Sequence, residues 1–331
     1  MNLKNTITEP QPRLAEISAL IGLLVWFLLL LVPISTVTGI AQIERFFLFA
    51  ILVIVPLGLS LIEPQELHGL HTWPYRIALL AQPFGAAFGV ASFMFNQGKL
   101  AAILACGWLV VTVIIASGGM WRFVLRGSLR VEEISLSFAL MYIAVGGMWF
   151  VMSRLGFHPM DFGDTIVLLT AVHFHYTGFA APLLMALTGR VLRTSEGGKT
   201  NLLLVLAVFC LIGGTPIVAA GITLSSGLVG LIGAIVISTS LWLLSGLVVV
   251  KIIGVIHSWS ARILLFISSL TISLSMVLAL LYAYSIFSQR LLINIPKMAE
   301  YHGTANAVGF ALCGLLAWSV IRKRENSKFR T

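Results

Sequence analysis

Residues Leu228 to Val250 read LVGLIGAIVISTSLWLLSGLVVV, twenty-three consecutive positions without a charged side chain. An α-helix of that length rises about 34 Å, enough to cross a hydrocarbon core of about 30 Å. A barrel strand would be about half as long and would alternate polar with apolar positions. Within lipid a backbone has no partner but itself, and a helix satisfies its own N–H and C=O groups segment by segment. Nine more segments carry the same signature: Ile17 to Val37, Phe46 to Ile62, Ile77 to Phe95, Leu100 to Ser117, Ile134 to Met152, Thr165 to Leu187, Leu202 to Leu224, Ile263 to Phe287 and Thr304 to Val320. The sequence therefore predicts an all-α, polytopic integral membrane bundle of about ten transmembrane helices.

Composition agrees with that reading. Of 331 residues 59% are hydrophobic and 10% charged, where an average soluble domain has about 25% charged. So little charge on so much apolar side chain excludes a soluble globular domain, a disordered chain and a coiled coil. Cys106, Cys210 and Cys313 each sit inside an apolar run with no CxxC spacing, as small packing residues do, not as a disulfide framework or a thiolate metal site. The net charge of +9 would suggest nucleic acid in a soluble protein. Here the basic residues lie in short loops between spans, where they set orientation and face anionic headgroups, so no nucleic-acid partner is expected.

Of the 21 Lys and Arg residues, only Arg45, Lys99, Arg154, Arg290 and Lys297 fall on one side of the ten spans. This bias predicts that both termini are cytoplasmic and that the chain is a multi-pass protein of the plasma membrane. The polar opening MNLKNTITEPQP is followed by an apolar run too long for a cleaved signal peptide, so the first segment is expected to stay as a span. Residues 1–16 are then a cytoplasmic N-terminal segment, 17–320 a single transmembrane domain, and 321–331, IRKRENSKFRT, a basic and disordered cytoplasmic tail. Trp73, Trp121 and Trp259 mark cytoplasmic interfaces.

Polar groups inside a span are costly and are functional candidates for that reason. AVHFHYTGFAAP in the sixth span places His173 and His175 about 12 to 15 Å from its outer end. Residues i and i+2 lie about 200° apart on a helix, so the two rings cannot face one pocket without unwinding. The simpler arrangement has one histidine facing a site and the other bonded to a neighbouring helix. EYHGTANAVGF opens the tenth span, where His302 and Asn306 are four apart on one face and lie in the same leaflet as the first pair. Glu300 suits the nearby helix N-terminus. IEPQELHGLHTWP, Ile62 to Pro74, holds Glu63, Glu66, His68 and His71 at spacings that could form a second metal or proton-transfer cluster on the cytoplasmic side. A plain interfacial loop would read the same way.

His158 and His257 read as solvated loop residues, Asp164 as the N-cap of the sixth span, Arg190 as a snorkelling C-terminal residue, and Gln82 with Gly85 and Gly89 as packing. GGTPIVAAGIT, Gly213 to Thr223, is the best candidate for a broken helix lining a cavity. No GxSxG, HExxH, phosphate-binding glycine loop or dinucleotide fingerprint occurs.

HFHYTGF at His173 to Phe179, the GGTPIVAAGIT run, and HGTANAVGF at His302 to Phe310 together resemble the YndJ-like family of bacterial polytopic membrane proteins. The resemblance implies a multi-pass helical membrane protein and brings no activity with it.

Three functions compete. In the first, the chain is an intramembrane enzyme on a lipid-soluble substrate, with His173, His175, His302 and Asn306 as catalytic residues lining an outer-leaflet cavity. Neutral imidazole can ligate a transition metal, which makes His173, His175 and His302 one candidate metal set and Glu63, His68 and His71 another; it can equally exchange protons near neutral pH. The second is a transporter or proton-coupled carrier, and the third a non-catalytic membrane sensor or assembly factor whose histidines only join helices. The partners expected are membrane lipids and a lipid-soluble small molecule.

Overall fold

A computed structural model describes residues 12–31, 41–62, 73–125 and 130–328. It contains ten long helices: α1 Pro12–Leu29, α2 Ala41–Ser60, α3 Trp73–Ser92, α4 Lys99–Leu125, α5 Val131–Leu155, α6 Asp164–Ser195, α7 Leu202–Thr223, α8 Gly227–Ile252, α9 Trp259–Phe287 and α10 Ile295–Arg324. No strand occurs among the described residues. Nine predicted spans fall on α2 to α10, the first starts on α1 while its last residues, 32–37, lie outside the described residues, and eight of the helices, α2 and α4 to α10, are long and apolar enough to cross a membrane. α3, diluted by Arg76, Gln82, Pro74 and Pro83, is less apolar, and α1 is the shortest of the ten.

Successive helices pack as hairpins, α3 on α4, α4 on α5, α7 on α8 and α8 on α9. Burial ranks them. In α2, 89% of the apolar window is inside the bundle, whereas in α7 and α8 the share is 28%, so α2 is the central post and α7–α8 an outer, lipid-facing wall. The exposed side chains of that wall, such as Phe209, Ile235 and Val250, are what a helix turned toward lipid should carry. Trp73, Trp121 and Trp259 are likewise exposed.

The GGTPIVAAGIT run is not a broken helix: α7 is continuous through Pro216. Pro216 has no N–H to give the carbonyl of Ile212, four residues back. Tyr142 of α5 donates its hydroxyl to that oxygen at 2.9 Å, which replaces the missing bond. The glycines serve approach instead, since a Cβ on Gly221 would stand 2.4 Å from the backbone nitrogen of Gly230 in α8, while one on Gly213 would meet nothing within 4 Å. Gly213→Ala should therefore raise thermal stability by up to about 1 kcal/mol through helix propensity. Gly221→Ala should lower it by about 1–3 kcal/mol because α7 and α8 must separate. Paired melting curves of the two variants in one detergent would check the opposite signs.

Gln82 does pack helices together, donating to Ile51 O of α2 at 2.9 Å and accepting from Ser18 of α1 at 2.6 Å. Glu16 of α1 pairs with Arg322 and with Lys323 of α10, so the first and last helices meet at the same end of the bundle. This is the geometry an even number of crossings requires. Where a disordered tail is expected after Val320, the backbone stays helical to Lys328, and the half-buried Arg322 pairs with Glu16 while Lys323 reaches the same carboxylate from an exposed position.

The same end of the bundle holds a charge network. Glu133 of α5 accepts from Arg122 of α4 at 2.7 Å and from Arg190 of α6 at 3.0 Å, and Glu132 accepts from Arg193. Arg190 thus does more than snorkel. Arg122 and Arg193 read as loop charges in the sequence, but α4 and α6 run on past their apolar stretches and carry them into helix–helix contacts.

Several helices include wide turns bonded i to i+5: Ala50–Ile54 in α2, Tyr176–Ala180 in α6, Val248–Ile252 in α8, and Met298–Gly303 and Ala305–Leu312 in α10. Such π segments recur at functional sites. Two of the helices that carry them also carry the candidate histidines.

Candidate functional site

His173 and His175 lie on α6 just before its wide turn, and their surroundings are opposite. His175 is fully buried. Its Nδ1–H donates to Ala171 O at 2.7 Å, and its Nε2 accepts from the indole N–H of Trp108 in α4 at 2.9 Å. The Phe47 ring meets it edge-on at 5.0 Å, and Gly146 of α5 leaves no room for a Cβ against the imidazole. With both ring nitrogens used, His175 joins α4 to α6 and has nothing left for a substrate or a metal.

His173 is exposed on the bundle surface. Its Nδ1 lies 2.7 Å from Leu169 O. A carbonyl can only accept, so Nδ1 carries the hydrogen and Nε2 presents a lone pair outward. His173 is nine residues into α6, about 13 Å from where the helix begins. At that depth the surface of a membrane helix meets hydrocarbon.

On α10 the predicted pair is formed. Asn306 Nδ2 is 2.9 Å from His302 Nε2. On its other side, His302 Nδ1 reaches Ser275 O of α9 at 3.0 Å and Ser275 Oγ at 2.9 Å. Nδ1 is again the protonated nitrogen, so Nε2 accepts from the Asn306 amide N–H. This turns Asn306 Oδ1 the other way, where it is buried and finds no hydrogen-bond partner. His302 and Asn306 are half-buried.

The two helices meet here. The turn Tyr176–Ala180, which directly follows the two histidines of α6, packs on the turn Ala305–Leu312, which holds Asn306. α2 closes the third side: Tyr176 donates its hydroxyl to Phe46 O at 3.0 Å, and the Phe46 ring occupies the place that a Cβ on Gly303 would need. Gly303 is what lets α2 come close enough to seat α6 against α10.

Of the four residues expected to share one cavity, His302 and Asn306 are bonded to each other, His173 lies exposed about one turn before the segment of α6 that packs on α10, and His175 is turned inward. Two interior spaces lie elsewhere, one between α6, α8, α9 and α10 beside Thr188, Ser245 and Ser268, the other beside Tyr75 and Arg122. Among the described residues no three His, Cys, Asp or Glu side chains gather as a metal-ligand set. Glu63, Glu66, His68 and His71 lie outside the described residues.

Asp164 is not the N-cap of α6, a place taken by Gly163. Its carboxylate accepts from Gln97 at 2.8 Å and is 3.0 Å from His158 Nε2, tying the start of α6 to the start of α4. His158 is exposed but engaged in this contact. Ser275, which fixes the His302 tautomer, was invisible in a helix rich in serine. Arg154, counted as a loop charge, is buried with its guanidinium over the Phe93 ring at 4.7 Å and bonded to Phe95 O at 2.8 Å.

The YndJ-like protein family profile matches residues 45–310. A curated relative, the uncharacterized membrane protein YndJ of Bacillus subtilis (strain 168), is 30% identical over 238 residues, 72% of this chain and 41% of that protein. The chain thus spans less than half the length of the relative it matches. No solved structure matches it.

Proposed function

We propose, from the premise that the chain belongs to the YndJ-like protein family of membrane proteins, that it is an intramembrane enzyme acting on a lipid-soluble substrate. The observation that supports this reading is the open Nε2 lone pair of the exposed His173 on α6, a helix that packs on the segment of α10 holding Asn306, whose amide oxygen is unpartnered. A neutral imidazole suits proton exchange near pH 7, and the bond from Nδ1–H to Leu169 O fixes the ring so that Nε2 is the basic atom. Asn306 would hold the substrate head, and His302, itself held by Ser275, is a positioning residue. Access is sideways from the bilayer, since His173 faces outward.

The site belongs to the outer leaflet of the plasma membrane if both ends of the chain are cytoplasmic, the orientation that the bias of Lys and Arg favours. Residues 17–320 then act as one transmembrane unit. The direct test is to incubate the purified chain, in nanodiscs, with a bacterial lipid extract and to follow lipid masses over time. A mass change that requires His173 supports the reading, and an unchanged lipid profile over many hours counts against it.

A second reading, a proton-coupled carrier, has one observation in its favour. Below Ser275, hydroxyls continue through α9 and α8, with Ser273 donating to Ser245 at 2.9 Å and Ser245 to Ser269 O at 2.8 Å, beside the interior space lined by Ser268 and Thr188. Proteoliposomes that acidify with a substrate gradient, and lose this in Ser245→Ala, would favour carriage.

A further inference from the structure

The hydrogen-bond inventory of the site restricts the chemistry of its ligand. His302 donates from Nδ1 to Ser275 O, which leaves Nε2 as an acceptor already taken by Asn306. Asn306 then has two unused functions, the buried Oδ1 and its second amide hydrogen. His173 donates from Nδ1 to Leu169 O and has one unused function, the Nε2 lone pair. The open groups are thus two acceptors and one donor, all uncharged in the neutral form.

An anionic head would bring only oxygen lone pairs to these two acceptors and could use only the single Asn306 donor. Taking a phosphate or carboxylate out of water without a charged partner is strongly unfavourable. A hydroxyl fits both ways: its hydrogen can go to Asn306 Oδ1 or His173 Nε2, and its oxygen can accept the second Asn306 hydrogen.

We propose that this site takes a membrane lipid whose head ends in an uncharged hydroxyl, of the diacylglycerol or long-chain alcohol class, in preference to a phosphorylated or carboxylated lipid. The inference rests on the enzymatic reading for the fate of that lipid, and on the unpartnered acceptors for its class. Binding of the hydroxyl also places its proton next to the one open basic nitrogen, which is the arrangement a proton transfer needs.

The test uses the full chain in phosphatidylcholine nanodiscs with a photoactivatable diacylglycerol as the label. Dioleoylglycerol should compete with the label, and dioleoylphosphatidic acid at the same mole fraction should compete at least about tenfold less. Asn306→Leu should reduce specific labelling by about tenfold. His173→Leu, at an exposed position that the fold tolerates, should reduce it similarly without moving the melting temperature. Equal or better competition by phosphatidic acid, or labelling unchanged in both variants, would overturn the inference. Labelling that follows the expected pattern without any turnover supports the hydroxyl class and removes only the enzymatic reading. His173-dependent turnover of a phosphorylated lipid does the reverse.

Discussion

Glu133→Ala should destabilise the protein by about 3–5 kcal/mol, the cost of stripping one partner from a buried ion pair. The carboxylate serves two helices at once, with Arg122 of α4 at 2.7 Å and Arg190 of α6 at 3.0 Å. The Arg122 and Glu133 side chains are 3% and 8% exposed, so water does little to replace the lost charge. A matched control is Lys251→Ala, which removes the pair with Glu196 at 3.6 Å, where the lysine is 52% exposed; its cost should be under about 1 kcal/mol. Thermal unfolding of the two variants in one detergent, followed by circular dichroism, measures the contrast. Equal melting temperatures would mean that the network at the α4–α5–α6 end contributes no more than surface charges do.

The second large effect concerns two histidines only two residues apart. His173→Gln keeps a polar side chain but removes the basic nitrogen, and should lower turnover of the lipid substrate by about 10²–10⁴-fold while leaving stability unchanged, because the residue is exposed. His175→Leu should do the opposite. It leaves the buried Trp108 N–H without the acceptor it now holds at 2.9 Å, a loss of about 1–3 kcal/mol. Turnover per folded molecule should hardly move. Measuring activity and melting temperature on both variants separates the roles, and a His175 variant that is stable but inactive would reverse the assignment made from its neighbours.

Much of the fold was legible because hydropathy over twenty residues is a strong signal, and eight of the predicted spans lie on helices long and apolar enough to cross a membrane. The split between His173 and His175 was legible too, since an angular step of about 200° holds in any helix. So was the His302–Asn306 pair, whose i, i+4 spacing survives the surrounding wide turns. Other features have no one-dimensional signature. Wide turns leave no mark in the periodicity. Tyr142, which completes the helix at Pro216, is seventy residues away in sequence. The arginines misled for a physical reason: a count of loop charges assumes that helices stop where their apolar stretches stop. α6 continues eight residues beyond Leu187 to Ser195, and brings Arg190 and Arg193 to Glu133 and Glu132. Ser275 shows the remaining limit, because one serine among many in α9 acquires meaning only from the histidine opposite it.

The charge network also sets an order on biosynthesis. Arg122 and Glu133 are eleven residues apart and belong to successive helices, so α4 and α5 can enter the membrane as a hairpin whose charges are already neutralised. Glu132 pairs with Arg193 of α6, which is made sixty-one residues later. At roughly 5–20 residues per second of chain elongation, that interval is about 3 to 12 s. During it the Glu132–Arg193 contact cannot form, so this part of the α5–α6 seam closes only once α6 has been made.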